Sequence, residues 1–205
     1  QRNADVTTHT QVDHTYNARA ILARLRDWLP ATHIAKCLDV GCGAGNFLFT
    51  LKQAGYADIA GVDVSPEQVQ LAKRISTAVS EGDAVEFLRA HVAEYDLVTA
   101  FDVVEHLRKD ELFGFLDALF GALRPGGRAI FQTPNAESQW ELSVRYGDLT
   151  HEIAFDTQSL SHALRLAGFS SFEARECGPY VHGLKSLLRM GLWKIIRAGL
   201  ALWNL

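Results

Sequence analysis

The chain lacks any run of 18 or more uninterrupted apolar residues, and it lacks a signal-peptide pattern. It is therefore expected to be cytoplasmic and not to span a membrane. It has only three cysteines, Cys37, Cys42 and Cys177, at spacings unlike any metal-ligand motif, so a reduced compartment is the simpler reading. An excess of positive charge is missing too. Twenty Lys and Arg stand against 24 Asp and Glu, a net charge of −4, so there is no electrostatic footprint of a nucleic-acid binder and no nucleic acid is expected as partner. Internal repeats and low-complexity segments are absent. What remains is an ordinary globular composition, 48% hydrophobic, over 205 residues: enough for one substantial core and too little for two full domains.

The elements alternate. A polar lead-in over residues 1–14 precedes a helix from Tyr16 to Leu29, stopped by Pro30. Ala35–Val40 reads as a strand, Asn46–Ala54 as a helix closed by Gly55, and Ile59–Val62 as a strand. Ser65 followed by Pro66 opens the next helix, a cap residue before a proline whose missing N–H costs nothing in the first turn. Thr77–Ser80 is a weak strand and Tyr95–Phe101 a strong one. Lys109–Leu123 is a helix ended by Arg124-Pro125-Gly126-Gly127, and Arg128–Thr133 a strand. Thr157–Ala167 is a helix, and Phe169–Arg175 a last strand. Strands separated by such helices predict an α/β fold, Rossmann-like and doubly wound, with a mainly parallel sheet covered by helices on both faces. To this are added an N-terminal helix and a C-terminal amphipathic helix. The expected organisation is residues 1–30 as lead-in and helix, 31–176 as core, and 177–205 as a basic amphipathic tail.

In such a sheet a ligand lies outside the carboxyl ends of the strands. Gly41, Gly43 and Gly45 fall there, between the first strand and its helix, where glycine lets a ligand approach the backbone and the helix N-terminus offers free N–H groups. Alone, these glycines fit a tight turn equally well. Three acids at successive strand ends add to them. Asp39 lies two residues before the first glycine, Asp63 is placed for the hydroxyls of a ribose, and Asp83 can accept from an adenine amino group. Together they make a binding row for a cationic, adenosine-bearing ligand.

On Leu38–Gly45, Gly61-Val62-Asp63, Gly82-Asp83-Ala84, Tyr95-Asp96-Leu97-Val98 and Leu123–Gly127, the chain resembles class I S-adenosylmethionine-dependent methyltransferases over about residues 35–175. The resemblance implies S-adenosylmethionine as cofactor. Asp39 and the glycines would hold its methionine part, Asp63 its ribose, and Asp83 with Ala84 its adenine; Val64 and Phe101 join the same set. A nicotinamide dehydrogenase is the rival, but its spacing is G-x-G-x-x-G, whereas this chain has G-x-G-x-G and a third acid that a dehydrogenase does not need.

Beyond the fourth strand lies Phe101-Asp102-Val103-Val104-Glu105-His106-Leu107. With a helix beginning near Val103, Asp102, Glu105 and His106 share one face, either as a capping box with a histidine nearby or as a ligand cluster for a divalent metal or a catalytic base. Gly147-Asp148-Leu149-Thr150-His151-Glu152 is expected at the same sheet edge. In ubiquinone-biosynthesis O-methyltransferases and small-RNA 2′-O-methyltransferases, a similar Glu-x-x-Glu-His with a later histidine serves the acceptor hydroxyls. That resemblance maps onto Asp102, Glu105, His106 and His151 as metal ligands for Mg²⁺, Mn²⁺ or Zn²⁺, with His106 and His151 as catalytic candidates. The first position is Asp here, a shorter reach. Either chemistry favours oxygen as acceptor. Residues 133–169 also resemble methyltransferases of bacterial surface-polysaccharide synthesis. The expected acceptor is thus a sugar or glycan hydroxyl, with a prenylated phenol second; a non-catalytic cofactor-binding domain of a polysaccharide enzyme is the alternative of another class.

From Cys177 to Leu205 there are Lys185, Arg189, Lys194 and Arg197 and no acid, so the preceding residues carry −8. On a helical wheel, Leu184, Leu187, Leu188, Ile195, Ala198, Leu202 and Leu205 form one apolar arc. Three placements follow for residues 184–205: packed on the protein's own core, in a dimer contact, or peripheral to the inner face of the membrane.

Overall fold

The computed structural model describes residues 18–25, 27–138, 143 and 145–203; the lead-in expected over residues 1–14, and Leu205 of the apolar arc, lie outside them. The chain divides into two compact units, one ending at Phe172 and one running from Glu173 to Leu205.

In the first unit, β1 (Cys37–Val40), β2 (Ile59–Asp63), β3 (Val79–Glu81), β4 (Tyr95–Phe101) and β5 (Leu123–Gln132) form one parallel sheet in the order β3-β2-β1-β4-β5. A parallel sheet must be covered on both faces, and the strands supply apolar residues to each. Leu38, Val40, Val62, Val98 and Ala100 face α4 (Ala84–Ala90), α5 (Lys109–Ala122) and α6 (Thr157–Leu166), meeting Leu88, Phe115, Leu116, Leu119 and Leu164. Cys37, Ile59, Leu97 and Ile130 face α2 (Asn46–Gln53) and α3 (Pro66–Ala72), meeting Phe47, Leu48, Leu51, Val69 and Ala72. Ile21, Leu22 and Leu25 of a further helix, α1 (18–25), pack on that second cluster. The Rossmann-like expectation holds. At the amino ends of β1 and β4, the Lys36 N–H and the Arg124 guanidinium both donate to Asp96, which pins the end of the sheet away from the glycine loop.

Four local expectations are corrected. The helix expected from Val103 is a single 3-10 turn, Val104–His106; Asp102 does not cap it but takes a left-handed backbone, φ 54°, that turns the chain at the end of β4. The Arg124–Gly127 breaker lies within β5 as a bulge, where the register steps from Tyr95↔Leu123 to Leu97↔Arg128 and Gly126 adopts φ 80°. Residues 169–175 form no strand. Phe169 and Phe172 pack on the core, but Ser170, Ser171, Glu173 and Arg175 alternate with nothing that could be buried. Helix α4 was not anticipated, because Asp83 reads from the sequence as a strand-end acid, whereas its Oδ1 accepts from the Val85 and Glu86 N–H groups and caps that helix.

The second unit holds α7 (Leu184–Trp203), and no helix among the described residues is long and apolar enough to cross a membrane.

Leu116 is fully buried where α5 meets β4. Leu116→Ala is expected to cost ~2–5 kcal/mol, by lost transfer energy plus the cavity left behind, read from denaturant unfolding.

Candidate active site

The glycine loop sits at the carboxyl end of β1, and its backbone explains its composition. Gly41 has φ 65°, and a Cβ there would come within 2.6 Å of the Val103 side chain. Gly45 has φ 88°, and a Cβ there would lie 2.8 Å from the Ile75 side chain and 3.2 Å from the Ala72 Cα. Gly45 is also the N-cap of α2, and no side chain caps that helix. The first-turn N–H groups are thus left for a ligand rather than for the protein.

Asp39 and Asp63 flank the loop differently. Asp39 is 3% exposed and accepts a 2.6 Å hydrogen bond from the buried Thr99 hydroxyl. Burial pushes its carboxyl up to about 7, the Thr99 bond opposing and the charge of Asp63 adding to the push. Thr99 belongs to no motif. Its role follows from register alone, since it lies opposite Asp39 in the β1–β4 pair. Asp63 fixes the loop, accepting from the N–H of Gly43 at 2.8 Å and of Ser65 at 2.9 Å. Asp83 uses Oδ1 for the cap of α4, which leaves Oδ2 outside that cap, and Ala84 is the first residue of the helix. Val64 is 71% exposed beside Asp63, an apolar surface that a flat ring could cover. Phe101, at the end of β4, sets its ring against Phe47 edge to face.

At the end of β4 the structure brings together three of the four residues in the acceptor constellation. One ligand atom each of Glu105, His106 and His151 lie within 4.8 Å of one another. Asp102 is not among them; the turn at φ 54° directs its carboxylate to the Gln132 side-chain amide instead. The loop carrying His151 is held in place by backbone bonds. The Glu105 carbonyl accepts from the N–H of Glu152 and Ile153, while Asn135 bridges Phe155 beyond it.

Glu105 is 2% exposed, and among the described residues neither of its carboxylate oxygens has a well-formed hydrogen bond; the buried Thr133 hydroxyl nearby has none either. Burial pushes the Glu105 carboxyl above its usual range, with the charge of Asp102 adding to this and that of His106 opposing; its own backbone N–H and the Thr133 hydroxyl lie near enough to oppose as well, though outside good hydrogen-bond geometry. A buried acid without partners is costly, and it is the kind of group that a cation or a proton would satisfy. The three side chains therefore fit a divalent metal in donor type, although ligands at about 2.1 Å from one ion would have to draw closer together. His106 has a defined tautomer. The Thr150 hydroxyl donates to Asp148 at 2.6 Å and so has no proton left for His106 Nδ1, 2.9 Å away; Nδ1 must donate, so that in the neutral ring the lone pair lies on Nε2. The hydrogen bonds from Thr150 hold the Asp148 carboxyl below its usual range. His106 and His151 meet edge to face, ring centres 4.8 Å apart.

A glycine loop at the carboxyl end of a central parallel strand, followed by an acid at the end of the next, defines a Rossmann-like site for a nucleoside-bearing ligand. A sequence model of the methyltransferase-domain family matches residues 10–173, and the chain belongs to that family. Among curated relatives, the ubiquinone biosynthesis O-methyltransferase of Pectobacterium carotovorum is 31% identical over 118 residues, 53% of this chain and 47% of that one. The chain spans about half the length of the curated relatives it matches. Among solved structures, a SAM-dependent methyltransferase from Archaeoglobus fulgidus aligns with TM-score 0.66 at 27% identity, covering 80% of this chain and 75% of that one. Phosphoethanolamine N-methyltransferase 2 of Haemonchus contortus, in complex with S-adenosyl-L-methionine, shares the fold at TM-score 0.60 and 21% identity, covering 72% of this chain and 36% of that one.

Two outcomes follow from the buried acids. Asp39 has a folded pKa above its unfolded one, so its contribution to stability is present at low pH and is lost as pH rises through about 7. A cationic amino group bound beside it would reverse that sign. Affinity for S-adenosylmethionine should then rise between about pH 6 and pH 8, by up to ~10-fold, and Asp39→Asn should flatten the profile, as isothermal titration would show. Glu105 is raised as well, so Glu105→Gln should increase the melting temperature of the ligand-free protein at pH 8 by a few degrees while lowering turnover.

Proposed function

We propose that the chain transfers the methyl group of S-adenosylmethionine to a hydroxyl oxygen, with a sugar or surface-glycan hydroxyl as the leading acceptor. The observation that carries this reading is the convergence of Glu105, His106 and His151 at the sheet edge next to the glycine loop. The cofactor supplies a sulfonium methyl donor, which leaves the protein two tasks, alignment and removal of a proton. Asp63 and the positive-φ glycines hold the donor side. On the acceptor side, His106 is oriented through Nδ1 by Thr150 and Asp148, which turns Nε2 into the free position of the neutral ring, and His151 lies against it. Either can take the acceptor proton near neutral pH. The same cluster fits Mg²⁺, Mn²⁺ or Zn²⁺, held by Glu105, His106 and His151; a metal there would grip a vicinal diol and lower its pKa.

The glycan acceptor rests on the likeness of residues 133–169 to polysaccharide methyltransferases. The curated relatives named for ubiquinone biosynthesis support a second reading, a prenylated phenol. Methyl transfer to oligosaccharides, sugar nucleotides and catechols, with and without chelator, decides between them. His151→Ala is expected to lower turnover by ~10²–10⁴-fold with cofactor affinity unchanged, the range for loss of a general base. Chelation stops a metal-dependent enzyme and leaves a histidine-base enzyme running. A fully active His151→Ala variant would remove His151 from the chemistry.

A further inference from the structure

Helix α7 turns its polar side inward within its own unit. Ser186 is 5% exposed, and its hydroxyl accepts from the N–H groups of His182 and Gly183. Trp193 packs on Gly178, and Arg197 pairs with Glu176 at 3.1 Å while lying over the Trp193 ring. At 100° per residue these three side chains fall within a narrow sector. The opposite sector holds Leu184, Leu187, Leu188, Leu192, Ile195 and Leu202, every one more than half exposed, with Ile195 at 71%. Lys185 borders that arc on one side and Lys194 on the other, with Arg189 next to Lys185 on the wheel. None of these three cations has an ion-pair partner among the described residues, and the helix carries no acid.

We propose that α7 lies in the surface of an anionic lipid bilayer, its leucine and isoleucine arc inserted among the acyl chains. The geometry is that of an interfacial helix: an apolar arc bordered by cations long enough to reach headgroups while their stems stay in the apolar layer. Charge selects the occupant. A second copy's α7 laid against this one would set cations against like cations, and uncharged lipid would leave all three unmatched. A span is excluded by polarity, since four cations fall within its 20 residues.

The test is co-sedimentation of the full chain with vesicles of phosphatidylcholine alone or mixed with phosphatidylglycerol. Binding is expected to the mixed vesicles only and should weaken as salt rises. Each change of Lys185, Arg189 or Lys194 to Gln should lower partitioning about fivefold. Leu188→Glu with Ile195→Glu should abolish it, with circular dichroism and unfolding stability unchanged. Four results would overturn the proposal. These are no binding to anionic vesicles, equal binding to both kinds, a wild-type dimer that the glutamate variant splits, or a loss of folding stability in that variant without lipid. The third would assign the arc to a second copy and the fourth to the protein's own core.

Discussion

Every candidate group at the site depends on where the chain reverses across the sheet. It builds outward from β1 through β2 to β3, then crosses back to lay β4 on the other side of β1. Loops leaving the carboxyl ends of β1 and β4 must diverge to opposite faces, and the gap between them is where a ligand can lie. The glycine loop lines one wall of that gap and the 102–106 turn the other. Val103 fills the space that a side chain at Gly41 would need, so the two walls are fitted to each other. The donor and acceptor sides are thus set by one topological constraint.

That constraint puts two acids in water-poor positions, and they resolve the cost differently. Asp39 is partly satisfied by the Thr99 hydroxyl, and burial raises its carboxyl to about 7. Glu105 has no well-formed hydrogen bond among the described residues. A protein selected only for stability would replace both with apolar residues of similar volume. Their presence side by side with a helix end that no side chain caps is the pattern of a site whose missing partners arrive with the ligands.

Much of this was legible beforehand, and for physical reasons. The apolar runs of β1 and β4 and the G-x-G-x-G spacing report on burial and backbone conformation, which are local properties, so the sheet, the loop and Asp39 and Asp63 could be read directly. What escaped depends on tertiary geometry. Asp102 looked like a helix cap, yet a single residue in left-handed conformation sent it to Gln132 and shortened the helix to one turn. Asp83 looked like a strand-end acid because nothing local distinguishes that from an N-cap when the helix behind it is only seven residues long. Thr99 and Thr150 matter through partners 60 and 44 residues away in sequence, a separation no spacing rule reaches. The strand expected at 169–175 failed because only Phe169 and Phe172 reach the core, while the residues between and after them stay exposed.

The three thiols occupy very different surroundings. Cys37 and Cys42 are buried under the sheet and the glycine loop, with burial raising both to about 12, while Cys177 is exposed at the start of the second unit. Since only a thiolate reacts readily with an electrophile, a maleimide dye should find a single address in the native chain. That address lies seven residues before α7. The protein therefore comes with a built-in labelling position from which the surroundings of its last helix can be watched by fluorescence, without engineering a cysteine or removing one.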